Sequence, residues 1–334
     1  MLDTLARPLR DARISVTDRC NFRCVYCMPK EVFGRDFAFA PREELLTFEE
    51  ITRLTRILSS LGVEKVRLTG GEPLLRRDLE RLVAQIASIG GVRDIALTTN
   101  GSLLTRSKSR ALADAGLRRV TISLDSLDDE TFRRMNDVDS SVDRVLEAID
   151  GAAEAGLGPI KLDMVVMRGL NVTSVVEVAR RFRGTGHIVR FIEYMDVGNT
   201  NGWRMEDVVP GSEIVEMIAR EWQVEPVAAN YFGEVASRYR YADGAGEFGV
   251  ITSVTRPFCG SCTRIRLSAT GEIYTCLFAG KGHDLRSLLR GGATDEDLRA
   301  VLAKIWLDRD DRYSEIRSEA TSDLRKVEMS HIGG

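Results

Sequence analysis

Six short β-like runs, each followed by a stretch of helical periodicity, constrain this chain more than any other feature. They are ARISVT (12–17), KVRLTG (65–70), DIALTTN (94–100), RVTISLD (119–125), IKLDMVV (160–166) and IVRFIEYM (188–195). Strand alternating with helix predicts a parallel sheet with right-handed crossovers. Between the first two runs, TFEEITRLTRILSSLG predicts an amphipathic helix with Thr47 as its N-cap and Gly62 at its C-terminal end.

The strands themselves are unusual. A parallel strand covered on both faces reads almost wholly apolar, but several of these alternate. One parity carries Arg13, Ser15 and Thr17; Lys65, Arg67 and Thr69; Thr98 and Asn100; Thr121, Ser123 and Asp125; Lys161 and Asp163. The other carries Ile14, Val16, Val66, Leu68, Leu97, Ile122, Leu124, Leu162 and Met164. Side chains change face with period two, so one face is polar and partly cationic. A sheet with one solvated face would read this way. Crossover helices cover at least one face, and a curved sheet around a wet lumen fits better: a partial (β/α)6 TIM-type barrel holding a large polar ligand. Arg13, Lys65, Arg67 and Lys161 are its inward cations, and Thr98 is a neutral hydrogen-bonding candidate beside them.

After Met195 the pattern changes. DVGNTNGWRMEDVVPGSE is rich in Gly, Asn and Pro, and residues 223–250 are irregular. CTRIRLSATGEIYTCLF then predicts a β-hairpin turning at Thr270-Gly271, and two helices separated by Gly291-Gly292 follow. We divide the chain into a barrel, 1–224, and a C-terminal region, 225–334, packed across it.

With 47 basic and 50 acidic residues, the net charge of −3 argues against a general nucleic-acid binder. No run of about 18 apolar residues occurs, and MLDTLARPLRDARISV has no signal-peptide core, so the expectation is a cytoplasmic chain with no membrane partner. Asn171-Val172-Thr173 matches a glycosylation sequon, read as chance in that setting.

All six cysteines fall into two triplets: Cys20, Cys24 and Cys27, spaced C-x3-C-x2-C, and Cys259, Cys262 and Cys276, spaced C-x2-C-x13-C. In a reduced compartment a disulfide framework is a poor account of them, and two metal or cluster sites are a better one. A [4Fe–4S] cluster normally takes four thiolates. Three on one loop leave an iron open to substrate or cofactor. A zinc loop is the competing reading of the first triplet, and a Cys3His zinc site using His283 that of the second.

The first triplet, with Tyr26 before its last cysteine and TGGEP (69–73) after the second strand, resembles the radical S-adenosylmethionine enzymes. Further stretches are similar to one branch, the GTP 3′,8-cyclase family of molybdenum cofactor biosynthesis. They include LRDARISVTDRCNFRCVYCMPK, VRLTGGEPLLRRDL, RFIEYMDVGNTNGW, FGVITSVTRPFCGSCTRIRLSATGEIYTCLF and the final HIGG. The resemblance implies two [4Fe–4S] clusters, one on each triplet, and S-adenosylmethionine held by Tyr26, Gly71, Ser123 and Met195. It implies GTP as substrate, with a triphosphate met by Arg13, Lys65, Arg67, Lys161 and Arg190, and a nucleotide contacted by Arg264 and Arg266. Cys20, Cys24, Cys27, Arg264 and Arg266 are then the catalytic set. It further implies an electron donor, a downstream enzyme that accepts the cyclised product, a homodimer, and a Gly333-Gly334 tail inside the barrel. Buried ion pairs with Asp18, Asp125 or Asp163 are the alternative use of any single inward cation.

Overall fold

The computed structural model describes residues 1–317 and 324–334. Six parallel strands appear where the alternation predicts them: β1 (Asp11–Ser15), β2 (Lys65–Thr69), β3 (Asp94–Thr99), β4 (Arg119–Ser123), β5 (Lys161–Val166) and β6 (Ile188–Glu193). They pair in chain order, each in parallel register with the next.

The apolar parity faces outward onto the crossover helices. Ile14, Val66, Leu68, Leu97, Val120, Ile122, Leu162 and Met164 lie fully buried in the main hydrophobic core. The first crossover helix, α1 (Phe48–Ser60), begins in the predicted place. The Thr47 hydroxyl accepts from Glu50 N–H, and the Glu50 carboxylate accepts from Thr47 N–H. Such a cap contributes about 1 kcal/mol. Ile51, Leu54, Ile57 and Leu58 form the buried stripe, and truncating one of them to Ala costs about 2–5 kcal/mol. Past the helix end Gly62 takes a φ of +117°, a left-handed region open to glycine at little cost.

The C-terminal region does not form a separate layer. It extends the same sheet at both edges, giving one 12-stranded sheet. After β7 (Val224–Val227) and β8 (Ser237–Tyr241), β9 (Glu247–Ile251) adds in parallel to β6. On the other side β10 (Arg264–Leu267) adds in parallel to β1, followed by β11 (Glu272–Tyr274) and β12 (His283–Asp284). The reason is that a half-barrel leaves two open edges of unpaired backbone groups, and the returning chain satisfies both. The predicted hairpin turns at Gly271, whose φ is +88°. Helices α2 (Arg286–Arg290) and α3 (Asp295–Leu307) follow, broken at Gly291-Gly292, and α3 packs on α1 with an Arg53–Asp295 ion pair at 2.6 Å.

Asn171 is wholly buried and its amide donates to the carbonyls of Asp125 and Val165, both at 2.8 Å. The sequon is therefore a structural asparagine. No helix among the described residues is long and apolar enough to cross a membrane.

Candidate active site

The cysteine loop leaves the C-terminal end of β1 and is locked from several sides. Cys27 and Met28 N–H groups both bond to the Cys24 carbonyl at 2.9 Å, making a tight turn. The neighbouring β2 turn packs against the start of the loop. A Cβ on Gly71 would lie 2.3 Å from the Arg19 carbonyl oxygen, and one on Gly70 2.4 Å from that of Thr17. Both glycines thus let the cysteine loop's backbone approach closely while they also line the cavity. Glu72 follows, fully buried, accepting from the Thr99 hydroxyl and the Asn100 N–H at 2.8 Å. Tyr26 donates its hydroxyl to Asp125 at 2.9 Å, tying the loop to the end of β4. Burial pushes the Asp125 carboxyl up to about 7, against the hydrogen bonds from Val165 N–H and Tyr26.

Both triplets line one cavity at the top of the barrel, together with Tyr26, Gly71, Ser123 and Met195. Cys20, Cys24 and Cys27 are half-buried by exposed surface because they face that space, yet protein encloses them closely. Burial, then the Glu72 carboxylate, pushes the Cys20 thiol up to about 12; burial and Asp125 raise Cys24. The second triplet differs. Burial raises Cys276 to about 11, but Cys262 is drawn down to about 6 because Arg264 and Arg309 outweigh its burial. Arg264 Nε lies 3.3 Å from Cys262 Sγ.

Among the described residues, no three His, Cys, Asp or Glu side chains converge closely enough to cage a single metal ion. His283 is exposed on β12, and it completes no zinc site. His331 instead pairs with Glu272 at 3.1 Å. Soft thiolates in two open triads suit a multi-iron cluster, which spreads its ligands further apart than one ion does. The residues present fit that group.

Below the triplets runs the cationic belt. Arg266, Arg13 and Arg67 occupy the same level on β10, β1 and β2. Arg67 donates to the hydroxyls of Thr98 and Thr121 at 3.0 and 2.9 Å. Arg13, Arg67, Thr98, Arg190, Arg264 and Arg266 all line the cavity. Gly334 reaches into it: Arg13 donates to the Gly334 carbonyl at 2.5 Å, and Arg266 to that of Gly333 beside it.

Three inward cations are placed differently from the expectation. Arg190 is held by Asp163 through two hydrogen bonds of 2.6 and 2.7 Å, so its charge is already matched. Register explains this: Asp163 and Arg190 are paired positions on β5 and β6. Lys65 and Lys161 do not line the upper cavity; they sit one residue pair lower, near the N-terminal ends of their strands. Lys65 Nζ stands 3.2 Å over the Tyr231 ring, a cation–π contact from the irregular segment. Lys161 is largely enclosed and has its ammonium lowered to about 8, by burial first and then by Arg190, Arg119 and Arg67.

Several residues escaped the sequence reading. Glu193, fully buried at the end of β6, accepts from the N–H groups of Gly211, Val254 and Thr255 at 2.7–2.9 Å. Asn201 bonds to the carbonyls of Tyr26 and Met195, holding the Gly/Asn-rich loop over the cavity. Arg7 and Arg309 grip the second cysteine loop from outside the barrel strands. Only Glu193, a charge inside an apolar strand, had a signal in its immediate neighbours.

Residues 14–182 match the Radical SAM superfamily, and residues 187–315 match Molybdenum Cofactor Synthesis C. The fold is similar to that of SuiB from Streptococcus suis bound to S-adenosylmethionine: TM-score 0.64, 16% identity, covering 93% of this chain and 68% of that one. A half-barrel with a three-cysteine loop at its mouth and these matches define a radical S-adenosylmethionine protein. A GTP 3′,8-cyclase from Acidothermus cellulolyticus is 57% identical over 99% of this chain and 98% of its own length. One from Staphylococcus epidermidis is 48% identical with the same coverage. The chain belongs to the GTP 3′,8-cyclase family.

Proposed function

We propose that this chain converts GTP to 3′,8-cyclo-7,8-dihydro-GTP, the first step of molybdenum cofactor biosynthesis. The observation that carries the reading is a single cavity lined by two cysteine triplets and by the arginines Arg13, Arg67, Arg264 and Arg266. A triphosphate needs several cations, and a redox-active cluster needs thiolates; here both face the same space.

Cys20, Cys24 and Cys27 would hold a [4Fe–4S] cluster with one iron left for S-adenosylmethionine. Reduced and with S-adenosylmethionine bound, such a cluster would supply the hydrogen-abstracting radical chemistry that cyclising GTP requires. Tyr26, Gly71, Ser123 and Met195 line the space beside that loop and hold the S-adenosylmethionine. Cys259, Cys262 and Cys276 would hold a second cluster, on the side of the cavity lined by Arg264 and Arg266. Arg264 and Arg266 orient the nucleotide from β10. Arg13 and Arg67 bind the triphosphate, with Thr98 and Thr121 fixing the Arg67 fork, and Lys161 extends the cationic surface downward. Arg190 serves indirectly, by keeping Asp163 from repelling the anion. Lys65 joins the phosphate site when Tyr231 releases it. An external electron donor reduces the protein, and a downstream enzyme takes the product.

The test is anaerobic product analysis after mixing reconstituted protein, a chemical reductant, S-adenosylmethionine and GTP. Cyclised GTP in step with 5′-deoxyadenosine is the expected result. 5′-Deoxyadenosine without loss of GTP overturns the substrate assignment.

A further inference from the structure

Arg7 is fully buried although nothing in its sequence neighbourhood, LARPLRDAR, marks it. Its Nε donates to Asp3 at 2.6 Å. Its Nη1 donates to two backbone carbonyls, that of Cys259 at 3.0 Å and that of Asp311 at 2.6 Å. Arg309 mirrors it. Stacked 4.6 Å from the Trp306 ring, it donates to the Cys262 carbonyl at 2.8 Å and to Asp3 at 3.3 Å. Trp306 in turn donates its indole N–H to the Arg7 carbonyl. Two arginines sharing one aspartate thus grip the carbonyls of both cysteines in the C-x2-C pair.

One atom of the clasp is left over. Arg7 Nη2 is buried and has no hydrogen-bond partner among the described residues, and Arg7 lines the cavity that contains Cys259, Cys262 and Cys276. A buried guanidinium N–H left unpaired is destabilising, so its burial here calls for a partner. A sulfide or thiolate sulfur is the acceptor that the cysteine triplet would bring.

We propose that Arg7, braced by Asp3 and Arg309, is a positioning residue for the second cluster: it fixes the Cys259–Cys262 loop by its carbonyls and donates Nη2–H to a cluster sulfur. The proposal rests on the two-cluster reading above. Hydrogen bonds to cluster sulfurs are among the factors that set reduction potential, and each favours the more negative, reduced state. Arg7 therefore makes the second cluster easier to reduce and leaves the first untouched.

The test is a potentiometric titration of reconstituted protein followed by electron paramagnetic resonance, with iron counts, for the wild type, Arg7→Gln and Arg7→Lys. Two clusters in the wild type establish the reading on which the proposal stands; one cluster refutes that reading and the proposal with it. With two present, Arg7→Gln is expected to lower the reduced-to-oxidised ratio of the second cluster about tenfold at fixed potential, the equivalent of one charge-assisted hydrogen bond. Arg7→Lys, which keeps the charge but loses the fork, falls between. The first cluster and its response to S-adenosylmethionine stay as in the wild type. Selective loss of the second cluster's iron also supports the clasp. Unchanged potentials for both clusters, or equal shifts in both, overturn it. If Arg7→Gln does not fold, Arg7→Lys is read alone; if neither folds, Arg7 serves the fold and the proposal fails.

Discussion

Arg13 and Arg67 stand at paired positions on the adjacent parallel strands β1 and β2, and neither makes an ion pair with an Asp or Glu side chain among the described residues. Arg266 takes the same level on the other side of Arg13. Burial first, then Arg266, Arg67 and Arg264, pushes the Arg13 guanidinium well below its ordinary value. Arginine keeps its charge in proteins, so the downward push reflects the cost of holding a buried charge beside like charges. A polyanion relieves it.

Arg67→Ala should therefore weaken GTP binding about 10- to 150-fold, the loss of one charge-assisted contact of roughly 1.5–3 kcal/mol. The residual affinity should also vary less with salt, because one cation fewer meets the triphosphate. Equilibrium binding at two ionic strengths checks both. Unchanged affinity in a folded variant would remove Arg67 from the phosphate site.

Arg190 gives the contrast. Its pair with Asp163 has side-chain exposures of 11% and 18%, and removing one partner of a buried pair costs about 3–5 kcal/mol. Arg190→Ala should lower the unfolding midpoint clearly, whereas Arg190→Ala combined with Asp163→Ala should recover part of the loss. No recovery in the double variant would mean that the pair is not what holds Arg190 in place.

Lys161 supplies a pH signature. Its ammonium is lowered to about 8 in the free protein, so it loses its proton as pH rises through that value. A bound triphosphate favours the charged form, so binding above pH 8 must take up a proton. GTP affinity should fall between pH 8 and 9 by as much as about tenfold per pH unit, the limit for one linked proton. Lys161→Met should bind more weakly at pH 7 and lose that slope. A slope that survives the substitution assigns the proton to another group.

The two triplets should separate by function. Reconstituted protein is expected to hold about eight irons, from two four-iron clusters. Cys24→Ser should abolish S-adenosylmethionine cleavage, and Cys262→Ser should leave some cleavage while eliminating cyclised product. Equal loss of cleavage in both variants would show that the division of labour is wrong.

What could be read from sequence follows the physics of each signal. Period-two alternation exposed Arg13 and Arg67 because a strand reports its own two faces. It offered Asp163 as an ion-pair partner for an inward cation but could not show that Arg190 would be the one neutralised, since that depends on the register between β5 and β6. Nor could it foresee Tyr231 over Lys65, because the segment carrying Tyr231 has no periodicity. The joining of the C-terminal strands to both edges was hidden for a similar reason: edge pairing is a property of the assembled sheet. Arg7 and Arg309 lie at opposite ends of the chain, and only the fold brings them to one aspartate.

The tail brings local and tertiary physics into direct opposition. Two final glycines, taken alone, read as a frayed and dispensable end. In the barrel, Gly333 has a φ of +74°, and a Cβ there would lie 2.2 Å from Thr69 Cγ2, so only glycine fits. The two carbonyls take hydrogen bonds from Arg266 and Arg13, the arginines on either side of the β10–β1 seam. Removing Gly333 and Gly334 frees both guanidiniums to move, and a misplacement of about 1 Å can cost about 10²-fold in rate. The truncated protein should keep its fold, iron content and S-adenosylmethionine binding, because the glycine carbonyls bond to Arg266 on β10 and Arg13 on β1 rather than to the first cysteine loop. Cyclised product per S-adenosylmethionine cleaved should collapse, and Gly333→Ala should reproduce much of that loss without shortening the chain. Full coupling in the truncated protein would return the tail to the status of a loose end.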